Sequence, residues 1–259
     1  MKEIKVKSSI DGSPEPSLFY MPSANRKIPL LVGLHTWSAD RKNQENKMLP
    51  YAKKNKWALL LPEFRGPNLT SNPRCREACG SLLAKQDIID AIEFVFDKYG
   101  ERKIDKNNIF LLGGSGGGHM GLLMAAFKPN LWRTVNIWCP ITDLIKWHSQ
   151  NLSYKEHIEK CCGGKPDKEN KNLVKEYKYR SPINYIDKLA DVEIYINHGK
   201  WDISVPYSHS YELYRRLIKK YSKARIYLNI FNGGHEIHYE EAFKIFNHSK
   251  SKHNYKLTK

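Results

Sequence analysis

Long apolar runs are missing from this chain. No stretch approaches the roughly 20 apolar residues needed to cross a bilayer. The amino terminus, MKEIKVK, alternates charged and apolar residues as a strand does, and no signal-type apolar segment follows it. A cytoplasmic protein without a membrane partner is the expectation. Cysteine is scarce and odd in number: Cys75, Cys79, Cys139, Cys161 and Cys162 make five, with no paired C-x-x-C spacing. An odd count without an export signal favours reduced thiols, and a bridge from Cys79 to Cys161 or Cys162 stays open. Adjacent cysteines make an awkward tetrahedral pair, so no metal is expected.

Acidic residues are outnumbered, 27 against 43 lysines and arginines, for a formal net charge of +16. The basic residues are spread from Lys2 to Lys259 without a nucleic-acid motif, and their densest group, SKSKHNYKLTK from Ser249 onward, reads as a solvated tail. No specific nucleic-acid partner is expected. Two phosphate-binding signatures do not fit the turn around Ser115. A dinucleotide fingerprint G-x-G-x-x-G starting at Gly114 finds His119 where its last glycine belongs, and no Gly-Lys-Ser/Thr follows to make a P-loop.

What is present is an alternation of apolar strand-like and amphipathic helical segments. Strands are expected at residues 28–35, 57–62, 108–112, 134–139, 192–197 and 225–231, several apolar throughout as doubly covered strands are. Between them, Ile88, Ala91, Ile92, Val95 and Phe96 recur at helical spacing, and so do Leu213, Leu217 and Ile218. The expected fold class is α/β: a mostly parallel, doubly wound sheet covered by helices on both faces, in a single domain over residues 1–259. Residues 141–191 break the rhythm and read as an insertion at the carboxyl edge of the sheet, a small lid or pocket wall carrying Trp147.

The stretch LLGGSGGGHMG sets Ser115 among glycines, directly between an apolar strand and an apolar helix. Gly113-Gly-Ser115-Gly-Gly117 satisfies G-x-S-x-G, the turn that holds a nucleophilic serine in a strained, exposed conformation. Gly113 and Gly117 are there for space, because side chains at those positions would collide with the neighbouring strand and helix. The plainer reading makes Ser115 a helix N-cap. A serine hydroxyl is a weak nucleophile until a base takes its proton, so a carboxylate and a histidine must follow in the order Ser, Asp/Glu, His. Asp202 lies just past the strand ending at residue 197, and His235 follows the last strand within FNGGHE. Asp143 is a rival acid, while Asp187 and Asp191 sit at the wrong end of a strand; His198 and His119 read as supporting residues. An oxyanion hole is expected from the N–H of Gly116 and that of Trp37, in the loop after the first buried strand. His35, Arg65, His119 and Trp147 are candidate pocket residues.

These segments resemble the α/β-hydrolase fold and, within it, the catalytic domain of the prolyl oligopeptidase family. GGSGGGHM, RSPINYIDKL, HGKWDISVPYSHSYELYRRL and GGHE occur in that family's order, and LPEFRGP is similar to its loop after an early strand. The resemblance implies Ser115 as nucleophile, Asp202 as orienting acid and His235 as general base, with no cofactor. Family peptidases commonly carry a β-propeller ahead of this domain, and the roughly thirty residues before Ile28 are too few for one. The expected activity is therefore cleavage of carboxylic esters, with a small peptidase as the alternative. The expected partner is a small ester or short peptide, and assembly into a homo-oligomer stays open.

Overall fold

The computed structural model describes residues 1–100 and 103–256, with side chains as far as Ser249. Its described residues form one sheet of β1 (Lys2–Lys7), β2 (Pro14–Tyr20), β3 (Ile28–Leu34), β4 (Ala58–Pro62), β5 (Ile104–Gly114), β6 (Thr134–Trp138), β7 (Ile194–Gly199) and β8 (Ile226–Phe231). In space the order is β1-β2-β4-β3-β5-β6-β7-β8. The β1–β2 and β2–β4 pairings are antiparallel, and every pairing from β4 to β8 is parallel. The chain turns from β3 outward to β4 and then returns to the other side of β3 as β5. Open α/β sheets bind ligands beyond the strand ends where the winding reverses in this way.

Side chains alternate across the sheet with a period of two. Leu30, Val32, Leu34, Leu60, Ile109 and Leu111 face one layer of helices, α2 (Leu82–Tyr99), α3 (Gly116–Phe127) and α8 (Ser208–Lys220). Leu31, Leu59, Leu61, Phe110 and Leu112 face the other, α1 (Glu45–Asn55) and α9 (Tyr239–Lys256). Helix α2 starts where the Ser81 hydroxyl accepts the Ala84 N–H and stops at Gly100, whose φ of 76° leaves the helical region. Full burial of one such leucine is worth about 1.5–3 kcal/mol, so the two layers hold the sheet from both sides.

All six strands expected from the sequence occur, β5 beginning at Ile104 and so earlier than the apolar run alone indicates. Strand β2 is masked in the sequence because Pro14 and Pro16 interrupt it, and α1 because Pro50 lies inside it. No described helix is long and apolar enough to cross a membrane. The carboxyl-terminal run is not free tail at its start: Ser249 is buried, its hydroxyl 2.5 Å from that of Thr134 and donating to Glu193 at 2.9 Å. Residues 257–259 of that run lie outside the described residues.

Between β6 and β7 lie α4 (Leu144–Gln150), α5 (Lys155–Cys162), α6 (Lys171–Tyr179) and α7 (Ile186–Leu189). The first three pack with the loop before α2 into a third apolar cluster containing Trp37, Ile141, Leu144, Trp147, Ile158 and Tyr177. Leu189 of α7 instead belongs to the main core. The inserted segment is thus anchored at its carboxyl end within the core that supports α3.

Candidate active site

Ser115 stands at the junction of β5 and α3 with φ 55° and ψ −122°, a conformation that non-glycine residues rarely adopt. Strain of this kind costs roughly 1–3 kcal/mol and persists only where surrounding contacts enforce it. Here the enforcement is visible. The Ser115 N–H donates to the Trp138 carbonyl at 2.9 Å, and its own carbonyl accepts the His119 N–H at 2.9 Å. A Cβ on Gly113 would collide with the Gly117 carbonyl, and one on Gly117 would lie 2.6 Å from the His35 carbonyl oxygen. The Ser115 side chain makes no cap to its helix, so its hydroxyl is not spent on the N-cap role.

Asp202 sits in the loop after β7 and His235 in the loop after β8. His235 Nδ1 and Asp202 Oδ2 are 2.6 Å apart. Since a carboxylate can only accept, the facing Nδ1 carries the hydrogen and Nε2 is left as the basic nitrogen. The other carboxylate oxygen accepts the N–H groups of Ser204 and Val205, each at 2.9 Å. His198 adds a further contact, its Nε2 lying 3.2 Å from Asp202 Oδ2 and 2.7 Å from the Val205 carbonyl. Burial acts to raise the Asp202 pKa, but hydrogen bonds from His198, His235 and Val205 outweigh it and hold the carboxyl well below the usual carboxylate range. Asp143, the rival acid, is occupied as the N-cap of α4, accepting from Ile145 and Lys146.

Cys139, with φ 45°, directs its thiol toward the carbonyls of Gly234 at 3.8 Å and Glu236 at 3.6 Å, on either side of His235. Burial pushes this thiol up to about 12, so it stays a neutral donor bracing the histidine loop. Cys139, His198 and Asp202 are the one described group with donor atoms close enough for a metal, within 4.8 Å of one another. Their polar atoms make the hydrogen bonds above, which hold the His235–Asp202 contact in place.

The Trp37 backbone nitrogen lies against Gly116, where a Cβ would strike it. Asn68 fixes this turn by donating its N–H to the Trp37 carbonyl at 2.8 Å. Among the described residues neither the Gly116 nor the Trp37 N–H has an acceptor. Two adjacent free N–H groups beside a serine are able to receive an oxyanion. Ser115 and His235 both open on a cavity of about 420 Å³, which Trp37, Lys47, Cys139, Tyr154, Ile237 and Tyr239 also line.

Four sequence candidates do not line this cavity. Arg65 is buried away from it, donating to Asp87 at 2.6 Å, Asp11 at 2.7 Å and Glu77 at 2.8 Å. Burial acts to lower its pKa, but these carboxylates raise it above the usual value, so it is a fixed cation with its donors consumed. The His35 ring lies 2.9 Å from the Thr36 carbonyl and 2.6 Å from that of Glu63, stacked on Phe64. His119 faces the Arg180 carbonyl at 2.6 Å and burial lowers its pKa to about 4, keeping it neutral. Trp147 stands behind the wall, packed on Trp37 with ring centroids 4.9 Å apart, its indole donating to Ser204. Tyr154, which stacks on Trp147, is the aromatic of the insertion that reaches the cavity. Lys47 and Tyr239 escape a sequence reading because α1 and α9 carry no local signature; proximity of Tyr239 to His235 in the chain is the one available signal.

A parallel sheet reversing between β3 and β5, with a strained serine after β5 and an acid–histidine pair after β7 and β8, defines the α/β-hydrolase class. Residues 78–254 match the prolyl oligopeptidase family, and the chain belongs to it. It is 27% identical over 114 residues to the uncharacterized peptidase YtmA of Bacillus subtilis, a match spanning 44% of this chain and 42% of the relative. Acylaminoacyl peptidase from Pyrococcus horikoshii superposes with a TM-score of 0.71 at 20% identity over 90% of this chain and 37% of its own. Acetyl xylan esterase from Paenibacillus sp. R4 superposes with a TM-score of 0.68 at 16% identity over 93% of this chain and 80% of its own. The chain therefore spans well under half the length of the first two.

Proposed function

We propose that this protein cleaves carboxylic esters with compact acyl groups, by way of an acyl-enzyme on Ser115. The observation that carries the reading is the 2.6 Å contact between His235 and Asp202, with His235 and Ser115 opening on the same cavity. His235 Nε2 takes the Ser115 proton as the oxygen attacks the substrate carbonyl, and Asp202 stabilises the imidazolium that results. The N–H groups of Gly116 and Trp37 receive the oxyanion. As the intermediate collapses, His235 returns the proton to the leaving alkoxide. Water then repeats the sequence and releases the acid. The cavity's size, about 420 Å³, and its aromatic walls suit a small acyl or alcohol group. The similarity to an acetyl xylan esterase over most of both chains points the same way.

Peptide cleavage is the second reading, favoured by the peptidase relatives, because the same groups would protonate a leaving amine. Turnover of p-nitrophenyl acetate, butyrate and octanoate is to be measured beside an aminoacyl p-nitroanilide. Short esters are expected to be cleaved fastest, with kcat/KM reduced at least about a thousandfold in Ser115→Ala. Faster turnover of the anilide than of any ester would replace esterase by peptidase; ester turnover unaltered in Ser115→Ala would end both.

A further inference from the structure

Lysine is almost never fully buried unless its charge is paired. Among the described residues Lys85 is the one buried lysine, only 4% exposed, and it lies in the first turn of α2, where the helix dipole disfavours a cation. It makes no ion pair there. Its Nζ donates to the Tyr179 hydroxyl at 2.8 Å and stands 4.1 Å from the centroid of the Tyr179 ring and 5.3 Å from that of Phe127. Ring faces attract a cation but carry no net charge to offset it. The carboxylate whose field reaches Lys85, that of Glu176, is held by Arg180 at 2.7 Å. An ammonium has three N–H donors, so two of them are left without a protein acceptor.

Those donors border a cavity. A pocket of about 220 Å³ is lined by Lys85 together with Leu123, Ala126, Phe127 and Tyr185, and the exposed Lys188 stands beside it. No acidic residue lines it, and the Tyr185 hydroxyl is already committed to the Tyr179 carbonyl at 2.7 Å. The pocket lies between α2, the end of α3 away from Ser115 and the segment leading into α7, and it shares no lining residue with the catalytic cavity. Burial pushes the Lys85 ammonium down to about 8 and Arg180 adds to the effect, as follows for a cation without a counter-charge.

We propose that this pocket binds a small carboxylate with an apolar body, an aromatic or short-chain acid, through Lys85. The carboxylate accepts the open Lys85 donors and supplies the missing negative charge, and Lys188 adds a second positive charge beside it. The body of the acid packs on Leu123, Ala126 and Phe127. A single negative charge matches the single buried ammonium, and the volume is below the roughly 300–1,000 Å³ of sites for drug-sized ligands. An uncharged molecule of the same shape would leave the ammonium unpaired.

Isothermal titration of the full chain with benzoate at pH 7 is expected to show one site with a dissociation constant of about 1 mM or tighter. Benzyl alcohol, the same ring without the charge, should bind at least about tenfold more weakly. Lys85→Met keeps an unbranched apolar stem in place and should weaken benzoate by at least about the same factor, with an unchanged circular dichroism spectrum. Photolysis of the wild-type chain with 4-azidobenzoate locates the site without a variant: label is expected on residues 85, 123–127 or 179–188, and excess benzoate removes it. Absence of benzoate binding, equal affinity for benzyl alcohol, equal affinity in folded Lys85→Met, or label confined to the catalytic cavity would each overturn the proposal. No hydrolysis is read, so the result stands apart from the esterase reading.

Discussion

Asp202 and Arg65 are alike in the sequence and opposite in the structure. Each is a charged residue three positions past a parallel strand, Asp202 after β7 and Arg65 after β4, and each side chain is fully buried. Asp202 accepts three hydrogen bonds, one of them from a histidine whose ring is 29% exposed and borders the cavity, and His198 lies 3.2 Å away. Arg65 meets only carboxylates and hydroxyls, so it has nothing left to offer a ligand. The lesson is that a buried charge acts in chemistry when one of its partners reaches an open cavity. A charge enclosed by fixed counter-charges holds loops together.

Substitutions can break this contrast. Asp202→Asn keeps the volume but removes the acceptor that sets the His235 tautomer, and kcat for ester hydrolysis is expected to fall by about 10³–10⁴. Its circular dichroism spectrum should match wild type, and a kcat within a few fold of wild type would mean that His235 needs no carboxylate. Arg65→Met leaves several carboxylates without their cation, and removing one partner of a buried ion pair costs about 3–5 kcal/mol. Denaturant unfolding should record that loss while kcat per folded molecule is unchanged; a rise in KM at wild-type stability would return Arg65 to the substrate site.

A smaller effect separates buried neutral histidines from the site. Burial lowers His119 to about 4 and His209 to about 3 from a usual value of 6.5. Between those values and 6.5 the unfolded chain binds protons that the folded chain refuses, so stability falls as pH falls through that window. Each histidine contributes a slope of about 1.4 kcal/mol per pH unit within it. Unfolding free energies from pH 7 to pH 5 should show the combined slope, reduced in His209→Gln; a flat profile would mean that these rings are protonated in the fold.

The strands were legible in the sequence because doubly covered strands are apolar throughout and their helices repeat at 3.6 residues. The turn at Ser115 was legible because a strained serine needs glycines where backbone atoms approach, as Gly113 and Gly117 show. The meeting of Asp202 with His235 followed from chain order, since adjacent parallel strands bring their terminal loops together. The cavity walls were not legible. Lys47, Tyr154 and Tyr239 come from three segments distant in sequence, and only the nearness of Tyr239 to His235 marks any of them. His35, Arg65 and Trp147 carry the right chemistry at the right sheet edge, but their polar atoms face carbonyls or carboxylates already in place.

The most direct measurement is the mass of the intact chain after exposure to a fluorophosphonate, followed by peptide mapping. A single adduct on Ser115, formed more slowly in Asp202→Asn and absent in Ser115→Ala, is what the account predicts. No adduct on the wild type, or one that survives Ser115→Ala, would contradict it.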